Sequence, residues 1–347
     1  MIDLFLYLVY LPLYLMKAID FSFIIPVYNR PDEIKELLES FSKLEGGFIY
    51  EIVIVEDGST KTSEEVTNTF SQLDISYYFK PNSGPGDSRN YGMQKAKGSY
   101  YIILDSDVIL PPNYLNAVYT FLSETYYDCF GGPDAAHHSF TNLQKAINFA
   151  MTSFITTGGI RGGRQQVENF QPRSFNMGLS KKVFIESGGF GKIHPGEDPD
   201  LSLRLHQLGF STTLIEKAYV YHKRRISWSK FYKQVYKFGM VRPILNQWHP
   251  RSKSLVYWFP TVFSLGLIAS VIVLIFNITL PLYLYLFYFV FAFILALVSN
   301  KNVVVAFQAL LAIVVQFFGY GFGFVKSTFS LIVLRRNPKE AFPNLFF

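Results

Sequence analysis

From residue 255 to 334 the chain is almost wholly apolar, with Lys301 and Lys326 its only charged residues. Stretches of 18 or more apolar residues read as membrane-spanning helices. Residues 257–276 and 281–298 are each long enough to cross, and 277–280 would be a tight hairpin between them. The third run, 303–334, would be about 48 Å long as one helix, against a hydrocarbon core of ~30 Å. A break or bend is therefore expected at Gly319-Tyr320-Gly321-Phe322-Gly323, giving a span followed by an interfacial helix.

The net charge of +6 is unevenly placed. Nine Lys/Arg and no acidic residue lie between Lys223 and Lys253. Such a block beside apolar spans suggests a cytoplasmic juxtamembrane segment. A nucleic-acid patch would carry similar charge, but the spans follow immediately, so no nucleic-acid partner is expected. Arg335, Arg336 and Lys339 would also prefer the cytoplasm, which requires an even number of crossings; three crossings would place them outside. Within 227–245, Trp228, Phe231, Tyr232, Val235 and Tyr236 fall together at helical spacing, with Lys230, Lys233 and Lys237 largely opposite. That pattern fits an interfacial helix or a surface helix packed on the domain. Residues 4–16 are apolar but short of a bilayer, and lack a basic leader or a cleavage site. An interfacial or oblique helix is the expectation there, and a short span the alternative. The single Cys129 excludes an intrachain disulfide and fits a reducing compartment. The expected division is an apolar membrane-associated helix at 1–19, a catalytic domain at 20–226, a basic interfacial segment at 227–254, and a transmembrane region of two to four spans at 255–347.

The first 250 residues look like a soluble α/β protein. Phe21 to Val27, Glu51 to Val55 and Tyr100 to Leu104 are apolar runs of the kind found in strands buried on both faces of a parallel sheet. Between the first two, Pro31 opens a helix whose apolar stripe is Ile34, Leu37, Leu38, Phe41 and Leu44. A short strand at 75–79 leads into the Gly/Pro-rich loop 81–86 and a helix at 87–97. Strand-helix-strand alternation argues a largely parallel sheet. Ligands in such sheets sit beyond the carboxyl ends of the strands. Two of those ends are acidic: Glu56-Asp57-Gly58-Ser59 and Asp105-Ser106-Asp107. Carboxylates at i and i+2 on one turn can converge on Mg²⁺ or Mn²⁺, although a lone Asp-x-Asp is also an ordinary solvated turn.

Further along, residues 111–123 and 181–187 read as helices, and the loop 158–164, rich in Gly and Arg, is a lid or a connector. Gly196-Glu197-Asp198-Pro199-Asp200 opens a helix, where carboxylates can be caps as well as catalysts. A strand is expected from 212 to 221, leading to His222.

In order, Ile24-Ile25-Pro26-Val27-Tyr28-Asn29, Val55-Glu56-Asp57-Gly58-Ser59, Asp105-Ser106-Asp107 and Gly196-Glu197-Asp198-Pro199-Asp200-Leu201 resemble the family 2 glycosyltransferases of GT-A fold. Gly84 to Asn90 is similar to that family's segment ending in Ala-Arg-Asn, with Ser88 in place of Ala. The resemblance covers roughly 20–240. It implies a GT-A type α/β domain, with a mostly parallel sheet flanked by helices, followed by C-terminal transmembrane helices. It implies donor contacts from Pro26, Tyr28, Asp57 at the nucleobase, Arg89, and Asp105 at the ribose or metal. It further implies Asp107, Asp105 and His222 as ligands of a divalent cation, Asp198 as general base with Glu197 beside it, and Asn176, Met177 and Gly178 in the acceptor region.

The chemistry is consistent on its own terms. Expelling a nucleoside diphosphate from an anomeric carbon needs charge neutralisation on the leaving group. The incoming hydroxyl needs a carboxylate within reach. One metal carboxylate and one separate base imply an inverting single displacement. The Gln-x-x-Arg-Trp that processive members carry before the membrane helices is absent; the chain reads Gln234-Val235-Tyr236-Lys237-Phe238. The expectation is a membrane-bound hexosyltransferase with its catalytic domain on the cytoplasmic side of a bacterial inner membrane. It would move one sugar from a nucleotide sugar to a lipid-linked or cell-envelope glycan acceptor. A processive polysaccharide synthase is the nearest rival; a transporter or scaffold with a nucleotide-binding domain is a different class, disfavoured by the scarcity of polar residues in the spans.

Overall fold

The computed structural model describes residues 20–135, 137, 139–158, 170–223 and 227–347. The apolar segment 1–19 and nearly all of the 158–164 loop lie outside the described residues.

The described residues form ten strands: β1 Phe21–Val27, β2 Tyr50–Asp57, β3 Ile75–Lys80, β4 Tyr100–Leu104, β5 Val108–Ile109, β6 Cys129–Gly131, β7 Asp134–Ala135, β8 Asn176–Ser180, β9 Thr212–Leu214 and β10 Val220–His222. The chain separates into two compact units, one of residues 20–133, 170–189 and 205–220, the other of 134–158, 190–204 and 221–347.

The first unit holds a seven-stranded sheet in the order β3-β2-β1-β4-β8-β6-β9. β1 is parallel to β2 and to β4, and β2 to β3. β8 runs antiparallel to both its neighbours, and β6 and β9 are parallel. The apolar runs are buried throughout β1 and β4, as expected of strands covered on both faces. In the helix Pro31–Phe41, Ile34, Leu37, Leu38 and Phe41 are all buried. Phe41 meets Phe23 of β1 edge to face at 4.7 Å, a favoured ring geometry. The strand expected over 212–221 is interrupted: a turn closed by Ala218 N–H to the Ile215 carbonyl separates β9 from β10.

Among the described residues of the second unit, three helical segments are long and apolar enough to cross a membrane: Leu255–Phe276, Leu280–Asn300 and Val303–Val333. The glycine patch does not break the third. It is continuous α-helix from Val303 to Thr328, followed by a π-helical turn, Phe329–Val333. What the glycines supply is room. A Cβ on Gly323 would fall 2.2 Å from the Tyr236 carbonyl oxygen, one on Gly239 2.1 Å from the Tyr320 carbonyl oxygen, and one on Gly319 2.6 Å from Val235. The basic helix Trp228–Trp248 thus lies backbone to backbone against the third apolar helix. Its Phe231 and Val235 are fully or almost fully buried in one cluster with Ala309, Ile313 and Phe317, while Lys230 and Lys233 stay exposed.

Candidate active site

Beyond Ile24, β1 keeps its ladder with β2 through Val27 but no longer pairs with β4. Pro26, with no N–H to give, lies just past that point. The strand order reverses direction about β1, and the sheet opens there at its carboxyl edge, where α/β sheets place their ligands. Three loops converge on the opening.

The first follows β2. Asp57 is in register with Lys80 at the end of β3. Its Oδ1 accepts from Lys80 Nζ at 2.7 Å and from the Ser83 N–H at 3.0 Å, and its Oδ2 from the Gly84 N–H at 3.0 Å. Asn82 Nδ2 donates to the Asp57 carbonyl at 2.8 Å. Gly58 has φ 71° and Gly84 φ 90°, left-handed values that favour glycine. At Gly58 a Cβ would also lie 2.6 Å from the Asn82 nitrogen. One carboxylate therefore holds the Gly/Pro-rich loop against the acidic turn.

The second follows β1. Tyr28 is exposed. Asn29, at φ 56°, accepts through Oδ1 from Thr60 N–H, Thr60 Oγ1 and Lys61 N–H at 2.8–2.9 Å, and its own N–H donates to Ser59 Oγ at 2.7 Å. The strained residue thereby stitches the β1 and β2 loops together.

The third follows β4. Arg89, 3% exposed, donates from Nη2 to Asp105 Oδ1 at 2.8 Å. An oxygen of Asp105 and one of Asp107 lie within 4.8 Å of each other. Arg30 Nη1 is 4.0 Å from Asp107 Oδ2, and Ser106 Oγ donates to Glu33 Oε2 at 2.9 Å. Burial, and next the charge of Asp107, push the Glu33 carboxyl above its ordinary range. Two oxygen-bearing carboxylates on one turn fit a hard divalent cation by donor type.

Asn176 and Met177, expected in the acceptor region, lie in β8. Both are interior to the sheet with no exposed surface. The Asn176 amide accepts from Tyr114 Oη at 2.6 Å and donates to the Ala218 carbonyl at 2.8 Å. Gly178 is pressed against the Phe130 ring, 1.9 Å from where a Cβ would sit. These residues build the sheet and offer an acceptor no side chain.

In the second unit, Glu197 opens the helix Glu197–Gln207. Glu197 is 3% exposed and its Oε1 lies 3.0 Å from His194 Nδ1. Asp200 is clamped by Arg204 at 3.0 Å and by the buried His249 at 2.9 Å. Between these two enclosed carboxylates, Asp198 is the half-exposed one. Its place in the first turn keeps its carboxylate at the positive end of the helix dipole. His222 Nδ1 is 3.7 Å from Asp134 Oδ2.

Lys80, Arg30, Glu33 and His249 lie outside the motifs, and Asn29 and Ser106 stand inside them without an assigned role. Only the i, i+3 spacing of Arg30 and Glu33 hints at a pair.

The profile of the family described as Glycosyl transferase family 2 matches residues 22–187. The chondroitin synthase of Escherichia coli is 26% identical over 58% of this chain and 34% of its own length. The minor teichoic acid biosynthesis protein GgaA of Bacillus subtilis is 31% identical over 44% of this chain and 31% of its own. The chain thus spans about a third of the length of each of these relatives. The mannosyltransferase PcManGT from Pyrobaculum calidifontis, solved with GDP-Man and Mn²⁺, shares the fold at TM-score 0.57 and 15% identity, over 90% of this chain and 94% of that one. The open parallel edge, the acidic turns after β2 and β4 and the matched profile together show that residues 22–187 carry a family 2 glycosyltransferase domain of GT-A type α/β fold.

Proposed function

We propose that this chain is a membrane-bound, inverting glycosyltransferase. It transfers one sugar from a nucleotide-diphosphate sugar to a lipid-linked or cell-envelope glycan acceptor at the cytoplasmic face of a bacterial inner membrane. The observation that carries the reading is the charged cluster at the open edge of β1, β2 and β4: Asp57, Arg89, Asp105 and Asp107. The named activities of the relatives, chondroitin and teichoic acid synthesis, support an envelope glycan as acceptor. The apolar helices and the acid-free basic segment from Lys223 to Lys253 support the membrane and the cytoplasmic side.

In this reading Asp57 takes the nucleobase, beside Pro26 and Tyr28, and Arg89 holds Asp105 toward the ribose. Asp107, Asp105 and His222 would hold Mg²⁺ or Mn²⁺, which when bound neutralises the leaving diphosphate; the fold neighbour with GDP-Man and Mn²⁺ supports that choice. Asp198 accepts the proton of the acceptor hydroxyl as its oxygen attacks the anomeric carbon. The bond from that carbon to the diphosphate oxygen breaks on the opposite face, and the nucleoside diphosphate leaves. Glu197, bonded to His194, shapes the acceptor side.

The test is a screen of nucleotide sugars for release of nucleoside diphosphate with Mg²⁺ or Mn²⁺, repeated with Asp198→Asn. General-base losses run to about 10²–10⁴-fold, so transfer should drop by that order while nucleotide affinity is kept. Near-normal turnover in Asp198→Asn would return that carboxylate to a capping role, since Asn caps about as well.

A further inference from the structure

We propose that Lys80 is a specificity-determining residue that sets which nucleobase the Asp57 turn accepts. The inference rests on the reading above that Asp57 faces the base of the donor.

Lys80 ends β3, and its side chain is 10% exposed. Its ammonium donates to Asp57 Oδ1 at 2.7 Å, lies 3.2 Å from Asp87 Oδ2 and 3.3 Å from the Pro81 carbonyl, and also bonds the Ser83 hydroxyl. An ammonium has three protons, so its donors are spent inside the loop joining β3 to the helix Pro85–Lys95. It is a fixed part of the site and no free arm for a phosphate.

The consequence lies on Asp57. A carboxylate has about four lone-pair positions, two on each oxygen. Lys80 and the Ser83 N–H fill both on Oδ1, and the Gly84 N–H fills one on Oδ2. A single acceptor position on Oδ2 is left. A base that meets it through its ring nitrogen must bring an N–H there, as uracil does at N3 and guanine at N1; cytosine and adenine carry their N–H on the exocyclic amine and reach the same oxygen only from a shifted position. Cytosine N3 and adenine N1 would set a lone pair against the carboxylate, and a site built to pair one polar pattern rejects the other strongly. Lys80 enforces this by pinning Oδ1, so that Asp57 cannot turn a second oxygen toward the base.

The experiment is calorimetric titration of the purified full chain with UDP, CDP, GDP and ADP, each with Mg²⁺. Wild type should prefer UDP over CDP, or GDP over ADP, by at least about tenfold, the scale of one charge-assisted hydrogen bond. Lys80→Met should shrink that preference about tenfold, while Lys80→Arg, which keeps the charge, retains most of it. If thermal unfolding shows that Lys80→Met is misfolded, Lys80→Gln is titrated in its place and its preference must fall. An unchanged preference in the folded charge-removed variant would overturn the role of Lys80 and leave Asp57 standing. No preference in wild type within either pair would overturn both readings together.

Discussion

Replacing Asp57 by Asn tests whether one carboxylate holds the nucleotide edge together. The change keeps shape and removes one acceptor oxygen and the charge. With the amide oxygen at Oδ1, Lys80 and the Ser83 N–H keep a partner, but the amide NH₂ then faces the buried Gly84 N–H, donor against donor. An unmet buried donor costs about 1–3 kcal/mol, and losing the charge assistance to Lys80 costs about 1 kcal/mol more. The flipped amide is worse, because two donors at Oδ1 then lose their acceptor. The loop should therefore be loosened by about 2–4 kcal/mol, which at 1.4 kcal/mol per decade is an increase of roughly 30- to 10³-fold in local opening. Hydrogen–deuterium exchange of peptides spanning 81–86 reads that opening directly, with the helix Pro31–Phe41 as an internal reference that should not change. Exchange of the loop within threefold of wild type would refute the reasoning, since it would mean that Asp57 is not what closes the loop.

The remaining predictions concern chemistry and packing. Chelation by EDTA should abolish sugar transfer, and Asp107→Ala should do the same in a folded protein; full activity in excess chelator removes the cation from the reading. Gly323→Val puts a branched side chain where even a Cβ would meet the Tyr236 carbonyl oxygen at 2.2 Å. Overpacking of this kind costs typically ~1–3 kcal/mol, so the thermal transition should fall, and an unshifted transition would show that the two helices do not approach so closely. With Gln-x-x-Arg-Trp absent, mass spectrometry should find one sugar added per acceptor, and a ladder of additions would point to processive synthesis instead.

What the sequence made legible follows from what physics writes locally. Strands buried on both faces appear as unbroken apolar runs, so β1, β2 and β4 and their acidic ends could be read directly. The partners of those ends could not. Asp57 finds Lys80, and Arg30 approaches Asp107, only once the strands are side by side. Asn176 is a further case: its amide satisfies Tyr114 and Ala218 inside the sheet, partners that only the assembled strands bring to it. On local grounds the glycines of 319–323 mark a weak point in a helix, about 1 kcal/mol each against Ala. Their use is close approach, which depends on a neighbouring helix that no local pattern reveals.

The helix that carries the proposed base also gains its orientation from residues the sequence assigns to the membrane-proximal end of the chain. Asp200, one turn into that helix, is bonded to His249 just beyond the basic helix Trp228–Trp248. Upstream, His194 N–H donates to the Leu345 carbonyl at 2.8 Å and Phe347 N–H to the Lys192 carbonyl at 3.1 Å. Ile193, Val241, Ile244, Leu331 and Leu345 close a small apolar core around those bonds. The loop that presents Glu197 and Asp198 is thus fastened on both sides, by a buried carboxylate–imidazole hydrogen bond and by a two-bond backbone bridge. Removing one member of a buried hydrogen-bonded pair leaves the other polar group unmet, which costs about 1–3 kcal/mol, so neither fastening yields easily. A carboxylate that must meet a hydroxyl at hydrogen-bond distance gains most from such rigidity, because misplacement by about 1 Å can cost 10²-fold in rate. The second unit therefore does more than supply apolar helices: residues that flank those helices fasten the turn and helix start that carry Glu197 and Asp198.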